Sequence, residues 1–277
     1  MGSTTSTPQL ESQVDAFLDG QGFGVLSGLR LLSVGGVDAR RWLGDLITAD
    51  VAGMVAGDTR RSLVLTPTGR IRADLLLFAT DDGFVIAQDV GQDEPIGEVL
   101  APYVLSSAVE LRDLGGSGTI LVLEPGRYLL IDRDDLATVE RRLEAEGRTR
   151  VGAETLEVVR VRRGEPLMGV DFAAGALPVG CRLDGAIDAT KGCFLGQEAV
   201  AKVRNLGHPP TGLVHLRASG VLVTGAAIHT LGGAVGAVTS AAPAPGDGTI
   251  ALARVDWEAV ATALSSEDGT PLETIAD

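Results

Sequence analysis

From Gly212 to Asp256 short β-type runs alternate with glycine- and proline-rich turns, and no helical pattern interrupts them. A β-only stretch of this kind closes as a small barrel or sandwich. The chain before it mixes strand and helix signals, so its sheets must carry helices on their faces. The expected class is therefore α+β with a separate C-terminal barrel.

Local patterns place the elements. Gly24 to Val34 alternates as one strand, and Asp38 offers an N-cap for a helix whose apolar stripe is Trp42, Leu43, Leu46 and Ile47. Trp42 reads as core. Arg61–Leu65, Ile71–Ala79 and Phe84–Asp89 read as strands, the first two joined by the turn Thr66-Pro67-Thr68-Gly69. Pro95 opens a helix to Leu105. Val109–Leu111 and Thr119–Leu123 are strands split by Gly115-Gly116-Ser117-Gly118, Arg127–Ile131 is another, and Asp134–Glu146 is a helix. Gly152–Arg163 fits helix or strand, and Pro243–Gly248 reads as a surface turn.

Composition narrows the function classes. The 277 residues are 45% hydrophobic, enough for a core, and the formal net charge is −14. That charge repels nucleic acid, whose binding rests on phosphate neutralisation. No apolar run reaches membrane-span length, so no membrane partner is expected. Met1–Gln9 lacks the basic and apolar regions of a secretory signal. Met1–Ser6 fits a myristoylation pattern, which a Ser/Thr-rich tail matches easily. Two cysteines and no export signal point to a reducing cytoplasm. Cys181, Cys193, His208, His215 and His229 lack the paired spacing of a zinc site, and two thiols fall short of the four an iron–sulfur cluster commonly takes, so no metal is expected. His208 is the nearest histidine to Cys193, but two prolines follow it and it reads as a loop residue. Arg60, Arg61, Arg70 and Arg72 form one basic group and Arg160, Arg162 and Arg163 another. They are either solvated faces or a site for an anionic small molecule.

The densest chemistry lies in Lys191-Gly192-Cys193-Phe194-Leu195-Gly196-Gln197-Glu198. It combines a nucleophile, a cation, two glycines, an amide and a carboxylate, and Lys191 is one of two lysines in the chain. A lone cysteine is commonly a small buried hydrophobe. A thiol beside a lysine in so polar a run instead fits a lowered pKa and a reactive thiolate. Cys193 and Lys191 are thus the catalytic candidates.

This octapeptide resembles the signature of the YgfZ family, folate-binding relatives of the glycine-cleavage T-protein. Its flank Ala201–Pro210, the turn and helix Val34–Leu43, the hairpin Thr66–Leu75 and the late strand Gly233–Ser240 resemble the same family in the same order. The resemblance implies a ring of three domains: 1–50 with 148–203 as a discontinuous folate-binding unit, 51–147 as an α+β unit, both ferredoxin-like in character, and 204–277 as the barrel. It implies tetrahydrofolate, or a one-carbon derivative, in the central opening, with Asp74, Arg70, Arg162, Gly192, Gln197 and Glu198 as binding candidates. It also implies support for the assembly or repair of iron–sulfur enzymes, which would be the client partners, with Cys193 essential.

Two positions depart from the wider superfamily. Aminomethyltransferases carry paired acids where this chain has Ala73-Asp74. A glutamate that accepts from the pterin amino edge is replaced by Arg162, which only donates. One remaining acid fits folate contact better than aminomethyl transfer. A folate-dependent one-carbon transferase and a non-catalytic docking module for a client protein stand as alternatives.

Overall fold

The computed structural model describes residues 7–105 and 107–276; the Met1–Ser6 pattern lies outside them. Helix α1 (Thr7–Leu18) leads into strands β1 (Gly22–Leu26) and β2 (Leu29–Gly35). The single strand expected over 24–34 is broken at Gly28, whose φ of 70° no pleated strand continues. The two halves enter different sheets.

Helix α2 (Ala39–Leu46) buries Trp42, Leu43 and Leu46. The Trp42 indole is core, and its Nε1 donates to the Tyr103 carbonyl at 2.8 Å. Asp38 stands at the N-cap, but its carboxylate accepts from the Ala108 N–H instead of from the helix. Strands β3 (Thr59–Leu65), β4 (Ile71–Thr80) and β5 (Gly83–Asp89) follow as expected. Helix α3 (Ile96–Leu100) is shorter than expected and tightens into a 3₁₀ turn, Ala101–Tyr103. Then come β6 (Glu110–Asp113), β7 (Gly118–Glu124), β8 (Arg127–Asp132), α4 (Leu136–Ala145), β9 (Thr149–Arg150), α5 (Ala153–Arg162) and α6 (Gln197–Leu206). The open choice at 152–163 resolves to helix.

Strands β10 (Thr211–Ala218), β11 (Ala227–Thr230), β12 (Gly233–Pro243), β13 (Thr249–Asp256), β14 (Leu264–Ser265) and β15 (Pro271–Thr274) form a closed barrel in the order β10-β13-β12-β11-β14-β15. The fold is mixed α/β with a C-terminal β-barrel. One sheet runs β3-β4-β5-β2-β6 and the other β8-β7-β1-β9. β7 and β8 lie inside the expected 51–147 unit yet extend the sheet of β1, so that stretch feeds both sheets.

Three of the apolar clusters among the described residues join these layers around the site. Leu43, Ile47, Leu77, Ile86 and Val99 pack α2 and α3 on the five-stranded sheet. Val14, Phe17, Val158 and Val161 share a core with Ala242 and Ile250 of the barrel, which wedges α5 between sheet and barrel. Leu63, Leu65 and Ile71 of the β3–β4 hairpin meet Phe172, Cys181, Leu183, Phe194 and Val200. Each fully buried Leu, Ile or Phe contributes about 1.5–3 kcal/mol, so the 172–200 segment is firmly seated on that hairpin. Among the described residues no helix is long and apolar enough to cross a membrane.

Candidate functional site

The octapeptide forms a loop that becomes the first turn of α6, with Phe194 buried beneath it. Two glycines set its seat. A Cβ on Gly196 (φ 84°) would lie 2.5 Å from the Thr66 carbonyl, and one on Gly69 (φ 73°) would lie 2.9 Å from the Ala199 Cβ. The loop and the hairpin turn therefore meet backbone to backbone, which side chains at these positions would prevent. Upstream, Asp188 Oδ1 accepts from Thr190 N and Oγ1 (2.8 and 2.6 Å) and from Lys191 N (3.1 Å). These bonds, Thr190 first, hold the Asp188 carboxyl below its usual pKa.

The Lys191 ammonium donates to the carbonyls of Gly44, Ile47 and Ala49 at 2.7, 2.8 and 2.8 Å. It also lies 5.4 Å from the centre of the Phe194 ring. Burial pushes its pKa down, resisted by the charges of Asp50, Asp188 and Asp45. The expected pairing of this ammonium with the Cys193 thiolate is not what the geometry displays, because an ammonium has three N–H donors and all three are taken up.

Cys193 is exposed and Cys181 is buried. The Cys181 thiol donates to the Leu177 carbonyl at 3.3 Å, and burial raises its pKa despite the nearby Arg254. A raised pKa leaves less thiolate at any given pH. A maleimide at neutral pH is therefore expected to label Cys193 on the order of a hundredfold faster than Cys181. Mass spectrometry of the native protein checks this, and equal rates would contradict the placement.

A second centre lies where β3 and β4 face the 163–189 segment. Leu63 pairs with Asp74 and Arg61 with Leu76, so Arg61 and Asp74 are diagonal neighbours on one face. Arg61 Nε and Nη2 grip the Asp74 carboxylate at 2.9 and 2.5 Å, and Nη2 also donates to the Pro166 carbonyl at 2.6 Å. Arg61 is 32% exposed and Asp74 8%. Burial opposes the Arg61 charge, but Asp74 outweighs it and holds that pKa above the ordinary value. Tyr128, from β8, feels the same centre. Burial, then the charge of Glu165, raises its pKa against Arg61 and Arg163.

Arg61 stands in the wall of two clefts that also share Asp184, Gly185 and Ala186. One, of about 430 Å³, is further lined by Asp50, Arg60 and Asp188. The other, of about 380 Å³, is further lined by Arg163, Glu165 and Arg182. Both volumes suit a small organic ligand. The lining offers guanidinium donors for carboxylates and carboxylate acceptors for amino groups.

Among the described residues, Asp74, Arg70, Arg162, Gly192, Gln197, Glu198, Lys191 and Cys193 line neither cleft. Asp74 sits behind Arg61. Arg70 donates to the Gly175 carbonyl at 2.7 Å and ties the hairpin turn to the next segment. Arg162 is turned away: it ion-pairs with Glu11 and donates to the Pro243 carbonyl at 2.7 Å. At the end of α5 a step of one residue swings the side chain by about 100°, so its neighbour Arg163 reaches the cleft instead. Gln197 and Glu198 open α6. His208 is a loop residue whose ring stacks on Trp257 at 5.9 Å. Arg60, Arg61 and Arg163 come from the two basic groups, which converge here, whereas Glu165 and Asp184 carry no sequence signal of their own.

Comparison with known proteins adds the following. No family model matches the chain. A curated protein of Haemophilus influenzae (strain ATCC 51907 / DSM 11121 / KW20 / Rd), described as an uncharacterized protein, is 26% identical over 203 residues, spanning 66% of this chain and 68% of that one. The crystal structure of glycine cleavage system aminomethyltransferase T from Bartonella henselae is similar with a TM-score of 0.80, covering 99% of this chain and 90% of that chain at 18% identity. The chain thus has the fold of that aminomethyltransferase over nearly its whole length.

Proposed function

We propose that this chain is a tetrahydrofolate-binding protein of the YgfZ kind that supports iron–sulfur enzymes through Cys193. The observation that carries the ligand is the pair of polar clefts meeting at Arg61 inside an aminomethyltransferase fold. The residues present fit a folate. Glu165, one oxygen of which accepts from Arg163 at 2.6 Å, and Asp184 are acceptors for a pterin amino edge, and Arg60 is a donor for the glutamate tail. When bound, tetrahydrofolate supplies a carrier for a one-carbon unit.

What the chain's own residues do favours binding over transfer. Both Asp74 oxygens are held by Arg61, so the one acid at the paired-acid position is engaged by a guanidinium rather than offered to a ligand nitrogen. Cys193 is exposed to solvent, which suits a thiol that meets a client protein. The iron–sulfur role itself rests on the likeness of Lys191–Glu198 to the YgfZ signature. A one-carbon transferase is the second reading, favoured by the fold likeness, and turnover with a one-carbon donor separates the two.

Titration calorimetry with tetrahydrofolate and its formyl and methylene forms tests the ligand. Binding is expected, tighter for longer polyglutamates, and Arg60→Ala should weaken it by about tenfold, the worth of one charge-assisted contact. No binding at millimolar folate would remove the assignment.

A further inference from the structure

We infer that Lys191 is a positioning residue: its ammonium ties the Cys193 loop to the end of α2 through three backbone carbonyls, rather than serving as counter-ion to the thiolate. The functional consequence rests on the proposed role of Cys193; the tether itself does not.

Gly44, Ile47 and Ala49 present carbonyls at and just beyond the C-terminus of α2, where a helix leaves acceptors without internal partners. A cation is favourable there, yet α2 has no basic residue in its last turn. The cation comes from 142 to 147 residues further along the chain. A second tie follows, as the Leu195 N–H donates to the Asp45 carbonyl at 3.1 Å. Phe194 is buried between these ties, and Asp188 is itself anchored by its N–H to the Thr48 carbonyl at 2.9 Å. Cys193 therefore lies on a short span pinned at both ends to one helix terminus. Gly192 beside it has no neighbour within 4 Å of a built Cβ, so the thiol is presented at an open apex. The charged groups that act on the ammonium are Asp45, Asp50 and Asp188.

A point-like ammonium suits three converging carbonyls, whereas a planar guanidinium does not. This separates geometry from charge. Lys191→Arg keeps the charge and loses the convergence; Lys191→Met loses both; Lys191→Gln keeps two donors without charge. The full-length variants are compared by amide hydrogen exchange over 44–49 and 190–196, by the pH dependence of Cys193 alkylation, and by rescue of iron–sulfur enzyme activity in cells lacking the endogenous protein.

The Met and Arg variants are expected to exchange loop amides about tenfold faster or more, with Gln in between. The alkylation pKa should stay at its wild-type value in all three, folate binding should persist, and rescue should fail for Met and Arg alike. A pKa raised in Met but not in Arg, with Arg rescuing, would make Lys191 the counter-ion and overturn the inference. Unchanged exchange in all three would also overturn it. If Cys193→Ala rescues fully, the role of Cys193 falls, while the exchange data still decide the tether.

Discussion

Asp171→Ala is expected to lower unfolding free energy by about 3–5 kcal/mol, the range for breaking a buried ion pair from one side. The Asp171 side chain is fully buried. Its Oδ2 accepts from Arg160 Nη1 at 2.7 Å and from the Leu167 N–H at 2.9 Å. Its Oδ1 accepts from Thr239 and Ser240 hydroxyls at 2.6 and 2.7 Å, and Arg254 donates to its carbonyl at 2.7 Å. The carboxylate thus joins α5, the segment after it and barrel strand β12, while the backbone carbonyl holds β13 through Arg254. Without it Arg160 keeps, among the described residues, the exposed Glu157 as ionic partner. The Ser240 hydroxyl loses its acceptor at about 1 kcal/mol or more, whereas the Thr239 hydroxyl still reaches the Leu252 carbonyl at 3.1 Å. Asp171→Asn should fall between, since it keeps the volume but sets an amide N–H against donors. Urea midpoints measure both, and a loss under about 1 kcal/mol for Ala would show that the joint does not hold barrel to sheet.

Cys193→Ala should abolish rescue of iron–sulfur enzyme activity while changing stability by no more than about 0.5 kcal/mol, because an exposed side chain takes little packing with it. Cys181→Ala should do the reverse. Its sulfur fills a core with Leu63, Phe172 and Leu183, so its loss should cost about 1 kcal/mol and leave function intact. The crossed pattern matters because either single result is ambiguous. Destabilisation by Cys193→Ala with function kept at permissive temperature would mean that the octapeptide is a turn whose cysteine fills a gap.

Much of the fold was legible from neighbours in the chain. The α2 stripe of Trp42, Leu43 and Leu46, the β3–β4–β5 alternation and the glycine turns of the barrel depend on local periodicity and φ preference. The octapeptide stood out for the same reason, since its mixture of residue types suits no core element. The clefts were only half legible. The basic groups point to the region, but the resemblance implies Arg162 where Arg163 reaches the cleft, because the azimuth of a helix end depends on where the helix stops.

What the residues determined unaided was therefore the run of strands and helices from α2 to α4, the β-only tail and the segment that carries Cys193, but not α1, β9 or α6. Tertiary structure alone decided which strands share a sheet, with Gly28 sending β1 and β2 apart and β7 and β8 pairing back to β1. It also decided the partners of Lys191, which lie more than 140 residues away, and it turned Asp74 from a ligand contact into the partner of Arg61. Strand neighbours and ion pairs of this kind form between segments distant in sequence, where burial and chain closure select among pairings that local preference leaves equal.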